Sequence, residues 1–163
     1  MRILGIDPGY ALMGYGIIEK KGNQFTVCDY GSISTEAGAP MPQRLKFLYS
    51  SLMDIIAQWQ PEEAAIEERF YNSGLEIREY TPLQIKQALA GYGRAEKKQV
   101  QQMVKTILHL EKVPKPDDTA DALAVAVCHG NSCGAAARMS QAIEKALAAE
   151  KRGKTGEECR EKK

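Results

Sequence analysis

The chain has 163 residues, enough for one domain with a real core, and its 44% apolar content is ordinary for a globular protein. Its 22 basic and 21 acidic side chains leave a formal charge of +1, which excludes a globally basic nucleic-acid binder, so any basic footprint must be local. No apolar run is long enough to span a bilayer, no signal peptide is read before the first strand, and Cys28, Cys128, Cys133 and Cys159 lack metal-type or Cys-x-x-Cys spacing, so a reduced, cytoplasmic setting with ordinary thiols is expected.

Arg2 to Asp7 reads as a buried strand. Leu12 to Lys20 and Gln24 to Ser34 read as two more, and the turn chemistry of Lys21-Gly22-Asn23 predicts an antiparallel hairpin between them. Leu45, Leu48, Leu52, Ile55, Ile56 and Trp59 recur at three- and four-residue steps, the signature of an amphipathic helix that Pro61 closes. Trp59 is read as a core residue. Strands are expected at Ala64 to Phe70 and at Ile77 to Tyr80. Thr81-Pro82 opens a helix ending near Gly91, with Pro near its first position. A longer helix runs from about Ala95 to Leu110, and another holds Asp118. Residues 1–134 form the predicted domain. Residues 135–163 are expected to be Ala-rich helix and then a Lys/Glu/Gly-rich tail without apolar residues, read as disordered.

Four carboxylates stand beside apolar stretches, where an unpaired charge is costly. Asp7 ends Ile3-Leu4-Gly5-Ile6 and precedes Pro8-Gly9, Glu67 ends Ala64-Ala65-Ile66, and Asp118 and Asp121 sit in Asp118-Thr119-Ala120-Asp121-Ala122. Pro8 biases Asp7 toward extended backbone, so Asp7 is placed at the C-terminal end of a buried strand. Glu67 falls within or at the end of its own strand. Asp118 and Asp121, three apart, share a helix face. Taken singly, these acids have ordinary readings: a turn residue, a satisfied carboxylate, a helix N-cap. Together they match a site for divalent cations, which take hard oxygen ligands, and two such cations clamp the attacking and leaving oxygens of a phosphodiester.

From Gln84 to Pro116, Lys86, Arg94, Lys97, Lys98, Lys105, Lys112 and Lys115 face only Glu96 and Glu111. A solvated helical face explains most such runs. Beside an acidic metal site, it is also the surface a phosphodiester substrate needs.

Several runs in order resemble the RuvC-type Holliday junction endonucleases: Ile-Leu-Gly-Ile-Asp-Pro-Gly (3–9), Gly-Tyr-Gly (14–16), Ala-Ile-Glu (65–67), Glu-Tyr-Thr-Pro-Leu-Gln-Ile-Lys-Gln (79–87), Gly-Tyr-Gly-Arg-Ala-Glu-Lys-Lys-Gln-Val-Gln (91–101) and Asp-Asp-Thr-Ala-Asp-Ala-Leu-Ala (117–124). The last three are the specific ones, and the resemblance covers Arg2 to about His129. It implies an α/β, ribonuclease H-like fold with a mixed five-stranded sheet flanked by helices. It implies resolution of four-way DNA junctions in recombination and repair, with Mg²⁺ or Mn²⁺, two ions per site. It also implies a homodimer and a branch-migration helicase as partner. By motif match the catalytic, metal-holding acids are Asp7, Glu67, Asp118 and Asp121. Lys97 is implied to stabilise the scissile phosphate, and Phe70 to stack on a base. Lys86 is implied to lie near the active site. Arg94, Lys98 and Lys105 complete the expected DNA-binding set from the basic stretch.

One departure stands out. Between Phe70 and Glu79 the family usually carries an extra helix with its loops, roughly two dozen residues or several helical turns, at or near its dimer interface. Here only residues 71–78 intervene. Adjacent parallel strands need a crossover of about a dozen or more residues. The expected consequences are a missing crossover helix, a distorted or partly lost second strand, and a monomer or weak associate with reduced cleavage. Two alternatives stand beside the nuclease. One is a junction-binding relic with impaired catalysis. The other is a fragment of an actin-like or sugar-kinase ATPase, which would need a second domain and phosphate loop.

Overall fold

The computed structural model describes residues 1–67 and 77–133, with Ile77 described by its backbone alone. Among the described residues, five strands and four helices follow in order: β1 (Arg2–Asp7), β2 (Leu12–Lys21), β3 (Gln24–Ser34), α1 (Met41–Trp59), β4 (Glu63–Ile66), β5 (Ile77–Glu79), α2 (Pro82–Ala90), α3 (Lys97–Ile107) and α4 over residues 117–133. Phe70 and the whole 134–163 segment lie outside the described residues. The chain divides into two compact units, Met1–Asn131 and Ser132–Lys163.

The sheet order is β3-β2-β1-β4-β5. The first three strands form the antiparallel meander that the Gly22 turn predicts, and β4 and β5 run parallel to β1. β5 is short, three residues, yet it pairs Ala64 with Ile77 and Ile66 with Glu79 in parallel register. An antiparallel hairpin between β4 and β5 is therefore not formed. β4 ends at Ile66, so Glu67 follows the strand rather than lying within it.

Strand alternation divides the core into two layers. Leu4, Ile6, Ile17, Ala64 and Ile66 face α1, which brings Leu52, Ile55, Ile56 and Trp59 against them. Ile3, Ile18 and Ala65 face the other way, toward Ile85 and Leu89 of α2, Val100 and Val104 of α3, and Leu123 to Cys128 of α4. Trp59 is half-buried as a core residue, and its indole Nε1–H donates to Asp29 Oδ2 at 3.0 Å. Tyr15, whose hydroxyl lies 3.4 Å from the same oxygen, has its pKa raised by burial and by that carboxylate. Thr81 caps α2 in a capping box with Gln84, and Glu96 caps α3 in one with Gln99.

α4 is buried on nearly every side, as its Ala-rich apolar sequence requires. It lies unusually close to β1 and β2 because glycine faces it. A Cβ on Gly5 would stand 2.1 Å from the Ala122 carbonyl oxygen, and one on Gly14 would stand 2.1 Å from the Asp118 carbonyl oxygen. The far end of α4 sits over the start of β1, where a Cβ on Gly130 would approach Ile3. So α4 runs antiparallel to β1, and its N-terminal turn lies over the C-terminal end of that strand.

Candidate active site

Strand parity and helix register place the backbones of the four acids toward that end of the sheet. Asp7 shares a face with Ile3 and Gly5, which look toward α4. In the β1–β4 register Ile6 pairs with Ile66, and the Glu67 amide donates to the Ile6 carbonyl at 3.3 Å. Asp7 and Glu67 are therefore neighbours at the ends of adjacent parallel strands, the position where open α/β sheets hold their ligands.

α4 supplies the other two from stripes at four-residue steps. Asp118, Ala122, Ala126 and Gly130 form the stripe over β1 and β2. Its contacts are fixed by Gly14, the register partner of Asp7, against the backbone of Asp118. Asp121, Val125 and His129 form the next stripe, turned toward β4, since His129 Nε2 meets Glu63 Oε2 at the first residue of that strand. Asp118 thus descends on the Asp7 side and Asp121 on the Glu67 side. All four side chains are partly buried.

Lys97, the first residue of α3, enters this cluster. Its Nζ lies 2.8 Å from Asp121 Oδ2 and 3.7 Å from Asp117 Oδ2. The hydrogen bond to Asp121 raises the Lys97 pKa above the usual lysine range. Burial opposes it, and the charges of Asp121, Asp117 and Asp118 reinforce it. Asp117 is itself paired with Lys115 at 2.5 Å, which lowers its pKa. Asp117 joins the Lys97 neighbourhood without having been singled out in the sequence. Only the fold brings the α3 N-terminus beside it.

The other basic residues separate by position. Arg94, in the loop before α3, and Lys98, beside Lys97, are exposed. Lys86 lies mid-α2 and is half-buried. Lys105 sits in the last turn of α3, about 12 Å along the helix from Lys97, where a cation also complements the helix dipole. Phe70 falls outside the described residues.

Sequence reading also missed a buried chain at the opposite end of α4. Tyr80 Oη lies 2.9 Å from His129 Nδ1, while Nε2 of the fully buried His129 meets Glu63. Tyr80 Oη and Glu63 Oε2 thus occupy the two ring nitrogens of His129. This chain ties α4 to β4 and to the residue after β5. Nothing in the spacing of residues 63, 80 and 129 signals it.

The donor set suits a divalent cation. Carboxylates are hard oxygen ligands, and Lys97 pairs with one of the four, Asp121. No helix among the described residues is long and apolar enough to cross a membrane.

Comparison with known proteins agrees with this architecture. The sequence matches the family described as crossover junction endodeoxyribonuclease RuvC over residues 3–76 and 70–129. The RuvC of Alkaliphilus metalliredigens is 53% identical over 154 residues, covering 81% of this chain and 94% of the relative. That of Desulfitobacterium hafniense is 49% identical over 165 residues, covering 88% and 100%. Since 81% of 163 residues is about 132, the 154-residue alignment runs about two dozen positions longer than this chain supplies. The two family segments meet at residues 70–76, the place of the short link. Among solved structures, Thermus thermophilus RuvC aligns with a TM-score of 0.74 and 31% identity, over 86% of this chain and 97% of that one. The same organism's RuvC in complex with Holliday junction substrate aligns with a TM-score of 0.77 and 30% identity, over 83% and 96%. With the ribonuclease H-like sheet order and these matches over most of its length, the chain belongs to the RuvC family of crossover junction endodeoxyribonucleases.

Proposed function

We propose that the chain hydrolyses phosphodiesters at four-way DNA junctions, in recombination and repair, with Asp7, Glu67, Asp118 and Asp121 holding two divalent ions, Mg²⁺ or Mn²⁺. What supports this reading is the placement of Asp7 and Glu67 at the ends of adjacent strands, with the first turns of α4, which carry Asp118 and Asp121, packed over a glycine-lined sheet. Bound there, the ions supply an activated water and charge stabilisation for the leaving 3′ oxygen. The acids orient that pair of charges. Lys97, kept protonated by its acidic neighbours, holds positive charge beside the scissile phosphate. Exposed Arg94 and Lys98 contact flanking phosphates, with Lys86 and Lys105 extending the basic track. Phe70, by motif match, stacks on a base. A cytoplasmic setting and a branch-migration helicase partner follow from the resemblance.

The test is incubation of a synthetic four-way junction and a linear duplex with Mg²⁺ or Mn²⁺. Nicking of the junction and sparing of the duplex are expected. Absence of metal-dependent cleavage removes the nuclease reading. A second reading, a junction binder with impaired catalysis, is favoured by the ten residues that link β4 to β5. Its signature is a retarded but uncut junction.

A further inference from the structure

We propose that Tyr10 is a stacking platform for an unpaired nucleobase next to the scissile phosphate, a role that rests on the junction-nuclease reading. Tyr10 lies three residues beyond Asp7, and three residues span at most about 10 Å, so its ring stays within reach of the nucleotide beside the acids. The ring is 50% exposed. No side-chain hydrogen bond among the described residues draws it back onto the protein.

Its backbone, by contrast, is held firmly. The Tyr10 carbonyl accepts from the Thr35 hydroxyl at 2.7 Å and from Arg44 Nη2 at 2.9 Å. Arg44 Nε donates to Thr35 Oγ1 at 2.8 Å, and the Thr35 amide donates to the Ala11 carbonyl at 3.0 Å. The turn below is tight, for a Cβ on Gly9 would stand 2.2 Å from the Leu12 carbonyl oxygen. The end of β3 and the first turn of α1 thus clamp the loop that follows β1, and the Tyr10 ring, three residues beyond Asp7, is left exposed. An ordered loop with a free ring loses little entropy when a base stacks on it. Arg44, at the base of the loop, adds a positive charge for the attached phosphate. A base unpaired at a branch point offers an open π-face, and aromatic stacking accepts any of the four.

Junction affinity is measured for the wild type and for Tyr10→Phe and Tyr10→Leu, in Ca²⁺ to suppress cleavage. A junction with 5-iododeoxyuridine at the exchange point is photocrosslinked in parallel. Tyr10→Phe is expected to bind within about twofold of the wild type, and Tyr10→Leu about tenfold or more weakly, the scale of one base–aromatic stack. The crosslink should map to Tyr10. Thermal unfolding of each variant separates a folding defect from a lost contact, and the crosslink on the wild type does not depend on any variant folding. Equal binding by folded Tyr10→Leu, or crosslinks that map only elsewhere, overturns the proposal and leaves the nuclease reading standing. A wild type that binds no junction overturns that reading and this one with it.

Discussion

Asp7 carries two duties, ending β1 and presenting a carboxylate to α4, and an isosteric change separates them. Asp7→Asn keeps the shape of the strand end and removes one negative charge. Junction cleavage should be abolished, and junction binding should hold or strengthen because one repelling charge has gone. A gel-shift assay beside a cleavage assay reads both; joint loss of binding and cleavage would indicate misfolding. Lys97 makes a different prediction. Its folded pKa lies above that of the unfolded chain. Its pairing with Asp121 therefore contributes stability in full below the unfolded lysine value of about 10.4, and that contribution is lost as pH rises through the folded value. Stability near neutral pH should be insensitive to its titration. Asp117, held low by Lys115, acts in the opposite sense, its contribution being lost as pH falls through its depressed value. Lys97→Gln should lower cleavage by about 10²-fold. A Lys97→Gln variant that cleaves like the wild type would remove Lys97 from the site.

At the scale of elements, the glycine-lined surface under α4 decides where Asp118 sits. Gly14→Ala would drive a methyl group into the Asp118 backbone, and the helix has little room to move because its other face is buried. Overpacking of this kind costs about 1–3 kcal/mol. Urea unfolding should report that loss, and cleavage by the folded variant should fall further than stability alone explains, since Asp118 moves with its backbone. Gly22→Ala is a useful control. Nothing lies near its Cβ position, and its strain comes from positive φ alone. A Gly14→Ala variant as active as the wild type would show that the helix is free to rise without disturbing the acids.

The whole molecule raises the questions of substrate contact and assembly. If Arg94 and Lys98 meet phosphates, junction affinity falls as salt rises, and each substitution by Ala flattens the logarithmic slope by about one. An affinity that stays level between low and physiological salt would remove the basic surface from the account. Assembly turns on the link after β4. The chain retains β5 in parallel register, but with ten residues in place of a crossover of a dozen or more. The relatives' alignments are longer by about two dozen positions. Light scattering at micromolar concentration is expected to show a monomer or weak association, with junction cleavage below that of full-length relatives. A stable two-fold dimer that nicks the junction symmetrically would overturn this expectation.

Local chemistry made much of this protein legible without a structure. Pro8 after an apolar run set Asp7 at a strand end, Lys21-Gly22-Asn23 announced the hairpin, and Thr81-Pro82 announced the start of α2, because turns and caps depend on a few adjacent residues. Ordered motifs named the family. The short link was visible as well, but not its outcome. That β5 keeps parallel register depends on pairing with Ala64 to Ile66, a contact remote in sequence. What tertiary structure alone decided was proximity. The closeness of α4 depends on Gly5 and Gly14 lying on one sheet face. The meeting of Lys97 with Asp121 depends on α3 starting beside α4, and the Tyr80–His129–Glu63 chain on three elements converging. The display of Tyr10 depends on Arg44, 34 positions away, reaching its carbonyl. Each of these joins residues that no periodicity relates, so packing had to bring them together.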